Sequence, residues 1–210
     1  GVDFSRCRFD QINAQAASMM GAGFNECVLT QVKADHAVLT RSNFAYSELI
    51  EVRFNHAELQ RASFMAAKAS GTLFIGAHLN EMRVDLDSVF SHCDFSQAQC
   101  QQSSWQESNL KNSCFNQANL DSAFFRQCDL SNSKGVLMTA RHSSFSECVL
   151  TGSEWQGANL MQSAFAHMVL DQLVWDGVNG FELEGRTAEV GHVSLLGALL
   201  TRSVFERRGQ

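Results

Sequence analysis

The chain has 210 residues, of which 45% are hydrophobic and 18% charged, a composition that excludes extended disorder. No apolar run approaches the roughly 18 residues of a membrane-spanning helix, and no secretory signal opens the chain. We therefore expect no membrane span. The net charge of −6 provides no basic surface for nucleic acid, so we also expect no direct nucleic-acid binding.

A five-residue period runs through nearly the whole chain. Phe and Leu recur at every fifth position from Phe4 to Val84 and again from Phe90 to Phe205, with a single one-residue insertion within 85–89. The period gives 41 central positions, which we call centres. Three centres lack a side chain: Gly135, Gly180 and Gly185.

The residue two places before each centre is usually small, as at Ala57, Ala62 and Ala67. None of the 82 positions formed by the centres and these partners carries a charge. A period of five matches neither a helix nor a simple strand. It predicts a coil that turns a corner every five residues, with two side chains of each five pointing inward and three outward.

Residues four periods apart are alike, as in the series Phe24, Phe44, Phe64 and the pair Leu29, Leu49. Four sides of five residues therefore close one coil, and each aromatic centre is expected to stack on its neighbour one coil away. The insertion lengthens one coil by a single residue and keeps all later residues in register.

Within each repeat, a small uncharged residue and a polar residue precede the centre: Ala-Asn-Leu at 118–120 and 158–160, and Cys-Asp-Phe at 93–95. This motif resembles that of the pentapeptide repeat family over residues 2–205. The resemblance implies an all-β fold, a right-handed quadrilateral β-helix (a pentapeptide-repeat solenoid) of about ten coils. We expect a single such domain over 1–210.

The repeat weakens at residues 176–193, where four Gly predict a degenerate or looped coil. No polar cap covers the first coil, so we expect the chain to be part of a longer protein, while the charged tail 206–210 shields the other end only partly. Outward positions become more apolar toward the C-terminus, which indicates either a capping segment or a partner or homodimer contact. The candidate contact residues are Val136, Leu137, Val174, Phe181, Leu196 and Leu199.

Residues that could carry chemistry are sparse. Most of the seven Cys lie at inward positions, where they act as small apolar groups, and their odd number is typical of a reducing compartment. His36 and His56 occupy equivalent positions of successive coils and are expected on one corner, without further metal ligands beside them. No catalytic spacing or phosphate-binding loop stands out, so we expect no enzymatic activity, no cofactor and no metal.

Two functions remain open. The first is a non-enzymatic protein-interaction scaffold or structural domain with an unidentified partner. The resemblance suggests an accessory or effector domain of a bacterial secretion system, in the bacterial cytoplasm or exported from it. The alternative is a DNA mimic that binds type II topoisomerase (gyrase), as Qnr-type members of the family do. That mechanism needs an acidic face, for which the candidates are Glu26, Glu48, Glu51, Glu107, Asp129, Glu147 and Asp171.

Overall fold

The computed structural model of the protein describes residues 1–205. Over these residues the chain forms a four-sided β-helix of about ten coils, as the five-residue period predicts. The strands are two or three residues long: β1 Arg8–Asp10, β2 Val28–Thr30, β3 Glu48–Ile50, β4 Arg83–Val84, β5 Ser104–Gln106, β6 Phe124–Arg126, β7 Ser144–Ser146, β8 Ala164–Ala166, β9 Val169–Leu170, β10 Leu173–Val174, β11 Glu184–Gly185, β12 Glu189–Val190, β13 Val193–Ser194 and β14 Val204–Phe205.

We number the four sides in chain order from the centres Phe4, Phe9, Ala14 and Met19. The first side contains a seven-stranded parallel sheet, β14-β11-β8-β7-β6-β5-β4. The second side contains the sheet β1-β2-β3 and, further along, the pair β12-β9, while β10 pairs with β13 on the third side. Isolated parallel bridges continue the pairing on all four sides.

Equivalent residues of successive coils pair in register, as in Phe125↔Phe145. Across the insertion the offset grows by one residue, as in Val84↔Trp105. The insertion lies at Leu86 and Asp87, which are two consecutive residues with positive φ, 55° and 57°. The extra residue is therefore absorbed in a corner, and Ser88 returns to a buried inward position.

Residues 176–193, where the sequence predicts a degenerate or looped coil, follow the same register. Glu184 pairs with Ala164, and Val190 pairs with Leu170. The missing centres are filled from the next coil, since Leu200 and Phe205 lie beside Gly180 and Gly185. The tail 206–210, expected to shield the end of the coil, lies outside the described residues.

Aromatic centres form the core by stacking from coil to coil. The ring centroids of Phe125 and Phe145 are 4.8 Å apart at an interplanar angle of 5°, and those of Phe145 and Phe165 are 4.9 Å apart. All three rings are buried. This confirms the stacking predicted from the likeness of successive coils. On the first side, Val84 interrupts the series between Phe64 and Trp105.

Inward Ser and Cys side chains bond to backbone carbonyls of the coil. Ser42 and Ser47 each donate from Oγ, at 2.6 Å, to the carbonyl oxygen of the preceding centre. Ser113 donates instead to the carbonyl oxygen of Phe90, at 2.7 Å. These bonds satisfy the donors of the three hydroxyl groups in the interior, whereas the inward hydroxyls of Thr72 and Ser153 have no partner among the described residues. Residues 1–205 include no helix that is long and apolar enough to span a membrane.

Candidate functional site

The corners of the coil determine where the outer side chains lie. At most corners the carbonyl of the centre accepts a hydrogen bond from the amide three residues on, as from Ser47 to Phe44 at 3.2 Å. The residue two after the centre has positive φ, which makes the corner a type II turn. The next coil repeats this geometry, so equivalent outer side chains form columns along the rod.

Neighbours within a column contact each other. Arg61 donates to both carboxylate oxygens of Glu81 at 2.9 Å, and Gln31 donates to Glu51 at 2.8 Å. The rings of His36 and His56 stack with centroids 5.1 Å apart, as expected from their spacing. At these positions the outer side chains are thus held by the residue one coil away.

The predicted apolar contact residues do not form one patch. Leu137, Leu196 and Leu199 are exposed, with relative exposures of 58%, 80% and 62%. Leu196 and Leu199 lie on either side of the corner residue Gly197. Leu137 lies on the same corner three coils earlier, about 14 Å away along the rod.

The other three predicted contact residues, Val136, Val174 and Phe181, are half-buried. The guanidinium of Arg202 lies 5.7 Å from the ring centroid of Phe181 and partly covers it. The exposed part of the predicted contact surface is therefore Leu196 with Leu199, and Leu137 apart from them. Val149 was not among the contact residues predicted from the sequence, although it is 47% exposed on the second side.

The predicted acidic residues lie on the first and second sides, but several have cationic partners. Glu26 pairs with Arg6 at 3.1 Å, Asp129 pairs with Lys111 at 3.0 Å, and Glu147 lies 3.8 Å from Arg126. Asp171 accepts a hydrogen bond from the backbone N–H of His192 at 2.6 Å. The acidic side chains therefore alternate with basic ones and do not form a continuous acidic stripe.

Two of the acidic candidates come together. Glu107 and Asp129 border a shallow cavity of about 280 Å³, together with Asp87. Partial burial raises the pKa of Asp129, but hydrogen bonds from Ser131 and Lys111 outweigh that effect and hold its pKa below the ordinary value. Glu48 and Glu51 lie away from this cavity, on the second side near the N-terminal end.

The thiols are positioned as apolar groups with two exceptions. Cys93 and Cys100 are buried, and burial raises the pKa of both thiols above the ordinary range. Cys7 is exposed although it occupies an inward position on the first coil, and Cys114 is half-buried. Among residues 1–205 no three His, Cys, Asp or Glu side chains are grouped closely enough to hold a metal ion.

One charged groove was not predicted from the sequence. It lies where the fourth side turns into the first, has a volume of about 920 Å³, and is lined by Arg41, Arg61, Glu81, Arg83 and Asp85, among others. Arg41, Arg61 and Glu81 form one corner column, and Arg83 stands beside it on the first side. Comparing equivalent positions of successive coils would have found the column. That Arg83 lines the same groove as Arg41, which lies two coils earlier, depends on the directions of the two side chains.

Comparison with known proteins gives a consistent result. The family model for pentapeptide repeats matches eight copies, over residues 22–61 and 93–132. The chain is similar to the crystal structure of HetL, a pentapeptide repeat protein involved in heterocyst differentiation regulation in the cyanobacterium Nostoc. The identity is 14% and the TM-score 0.57, over 96% of this chain and 86% of HetL.

The chain is also similar to a trypsin-treated variant of QnrB1, a plasmid-mediated fluoroquinolone resistance protein. Here the identity is 15% and the TM-score 0.63, over 98% of this chain and 92% of QnrB1. A search of curated protein sequences finds no match. At these identities the structural likeness shows a common fold.

Proposed function

The chain is a pentapeptide repeat protein, and from the outer faces of its β-helix we propose that it acts as a non-enzymatic protein-interaction scaffold. Solenoids bury one continuous core and present extended faces to partners. The observation that carries the proposal is the exposure of Leu196 and Leu199, at 80% and 62%, on a backbone held by coil-to-coil hydrogen bonds. Large side chains exposed on a rigid face favour a protein partner.

The test is affinity capture from bacterial lysate at two salt concentrations, with the wild-type chain, the double variant Leu196→Asn/Leu199→Asn, and the matched control Thr201→Asn on the same coil. Captured proteins are identified by mass spectrometry, and binding is measured again with each purified partner. We expect a partner that binds the wild type and the control but not the double variant. Equal binding to all three would remove Leu196 and Leu199 from the proposal.

Homodimerisation through the same two leucines is a second form of the proposal. Sedimentation equilibrium of the three proteins separates the two forms, since only a homodimer would lose mass in the double variant without any added protein. The setting in a bacterial secretion system stays a prediction from the sequence resemblance.

A second candidate is DNA mimicry toward a type II topoisomerase. It is favoured by an uneven charge distribution, because residues 85–205 carry 13 acidic and 6 basic side chains, whereas residues 1–84 carry 8 of each. The ion pairs of Glu26, Asp129 and Glu147 weaken it. Capture of gyrase or topoisomerase IV subunits that decreases at high salt, with inhibition of DNA supercoiling, would make this candidate the better one.

A further inference from the structure

We propose that the groove between the fourth and first sides is a docking site for an acidic peptide segment of a partner protein. The groove is the one lined by Arg41, Arg61, Glu81, Arg83 and Asp85. This inference rests on the proposed scaffold function, and it names both the surface and the chemistry of the partner.

Two guanidinium groups in the groove are available to a ligand. Arg61 is held by its two hydrogen bonds to Glu81. Arg41 and Arg83 are exposed, and their guanidinium groups make no hydrogen bond or ion pair within residues 1–205. Their charges help to lower the pKa of Glu81, after the hydrogen bond from Arg61. A guanidinium donates most strongly to a carboxylate or a phosphate, so the groove favours an anionic ligand.

The spacing favours a ligand with separated charges. Arg41 and Arg83 belong to coils two steps apart, and two steps correspond to about 10 Å along the rod. One carboxylate or one phosphate ion would fill only a small part of the groove, whose volume is about 920 Å³. An extended peptide that carries several acidic residues matches this spacing, because residues in an extended chain advance about 3.3 Å each.

The lining of the groove distinguishes a peptide from a nucleic acid. Besides its arginines, the groove is lined by the carboxylates of Glu81 and Asp85, which can accept hydrogen bonds but cannot donate them. A peptide supplies backbone N–H donors beside its acidic side chains, whereas phosphates supply only acceptors. The negative carboxylates of Glu81 and Asp85 and the net charge of −6 also disfavour a nucleic-acid backbone.

The neutral lining of the groove is suited to an extended backbone. Ser63 and Ser104 lie on the first side above and below Arg83, and Gln102 and Gln106 continue the wall on the next coil. Hydroxyl and amide groups both donate and accept, so they can pair with peptide groups in either direction. The guanidinium groups then select acidic side chains, and the neutral groups bind the main chain.

The test measures binding of a fluorescein-labelled octapeptide of alternating Glu and Ser to the full chain by fluorescence anisotropy. The variant is Arg41→Gln/Arg83→Gln and the matched control is Arg8→Gln, which removes an exposed arginine on the second side. Gln already stands at the same two positions of the five-residue unit, at Gln97 and Gln99 on other sides of the coil, so the variant is expected to fold. Circular dichroism of each protein checks this.

We expect the double variant to weaken peptide binding by about tenfold or more, while Arg8→Gln changes it by less than about twofold. A peptide with Gln in place of Glu should not bind. Unchanged binding in the double variant, tighter binding of a single-stranded oligonucleotide of equal charge, or displacement by inorganic phosphate as effective as by unlabelled peptide would each overturn the proposal. Self-association that the double variant abolishes would also overturn it, in favour of a second copy.

This experiment separates the groove from the scaffold function. If lysate capture yields a partner whose affinity is unchanged by Arg41→Gln/Arg83→Gln, the scaffold function stands and the groove is not its docking site. If no partner is captured and the acidic peptide still binds as expected, the groove stands as a peptide site, and the lysate lacks the protein that carries such a segment.

Discussion

Each residue of the five-residue unit has a different physical task. The centre and the residue two before it are inward, and a charge there would lie among stacked rings without a partner. Within residues 1–205, positive φ occurs at 32 non-glycine and seven glycine positions, nearly all of them two after a centre. An L-residue with a side chain is strained in that conformation by about 1–2 kcal/mol, so the turns retain strain that core packing must offset.

Phe145→Asp is expected to unfold the chain or make it insoluble. The ring of Phe145 stacks between Phe125 and Phe165, and loss of a buried Phe alone costs about 3–5 kcal/mol before the burial of a charge is added. Thermal unfolding followed by circular dichroism measures the effect. Glu107→Lys, on an exposed corner, is the control; a comparable loss of folding there would mean that inward and outward positions have been exchanged.

Gly71→Ala isolates the strain of the corner. Gly71 has a φ of 72°, and no atom lies within 4 Å of the place where a Cβ would be. Left-handed strain of about 1–2 kcal/mol, partly offset by reduced freedom of the unfolded chain, predicts a loss of about 1 kcal/mol in the free energy of unfolding. Gly76→Ala should cost more, because its Cβ would lie 2.5 Å from Nδ1 of His56. Urea unfolding of both variants tests this, and equal losses would contradict it.

The inward positions could be predicted, because burial excludes charged residues from two positions in every five. This five-residue period is visible in a single sequence. The left-handed corners were not predictable, since residues as different as Gln97, His92 and Arg61 occupy them. Their φ values follow from closing the coil, and residue preference has little part in them. Half-burial of Phe181 was equally invisible, because it depends on how Arg202 folds over the ring.

At the scale of the coil, the one extra residue within the repeat is accommodated at a corner. Leu86 and Asp87 together occupy a corner that elsewhere holds one residue of positive φ. Strands inside a sheet are different, because their residues pair with residues in the coils before and after them. Ser144, for example, is paired with Phe124 on one side and with Ala164 on the other.

Deletion of Leu86 is therefore expected to retain the fold. It removes one left-handed residue, leaves Asp87 as the corner and restores a coil of the ordinary length, so the melting temperature should stay within about 4 °C or rise. Deletion of Ser144 should abolish cooperative unfolding, since it breaks the register at the first residue of β7, a strand inside the seven-stranded sheet. Thermal melts of both variants test this prediction. Similar losses of stability from the two deletions would contradict the idea that corners accommodate a change in length better than strands do.

In the whole molecule, ion pairs between outer side chains connect successive coils on the outside. The stacked aromatic centres connect the same coils in the core. Asp121 accepts from the guanidinium and backbone N–H of Arg141. Partial burial raises the pKa of Asp121, but these bonds outweigh it and the pKa is lowered. The pKa values of Glu81 and Glu182 are also lowered, mainly by hydrogen bonds from Arg61 and Gln162.

These shifts predict acid sensitivity. A carboxyl group with a lower pKa in the folded chain binds fewer protons there than in the unfolded chain, so its stabilisation is complete above the unfolded value of about 4 and disappears as the pH falls below it. The melting temperature should therefore decrease below about pH 4, and less steeply in Asp121→Asn. Melts between pH 7 and pH 2.5 measure this, and an identical slope in the variant would exclude the Arg141 pair as a cause.

The candidate surfaces show how far sequence alone extends at this scale. The outward positions of Leu196 and Leu199 followed from the period, as did the placement of Glu107 and Asp129 on neighbouring coils. The pairing of Asp129 with Lys111, and the freedom of Arg41 and Arg83, are set by rotamers and by competition among nearby charges. A pattern of inward and outward positions holds no information about these choices.

The division of each unit into two inward and three outward positions also bears on divergence. The inward positions require only a class of residue, since Ala, Ser and Cys interchange at one of them and Phe, Leu and Trp at the other. The outward positions can change without touching the core. Two such chains can therefore share a fold at 14–15% identity, as this chain does with HetL and QnrB1. Divergence can then rewrite the pattern of charges and apolar groups on one face while the rod beneath it remains the same.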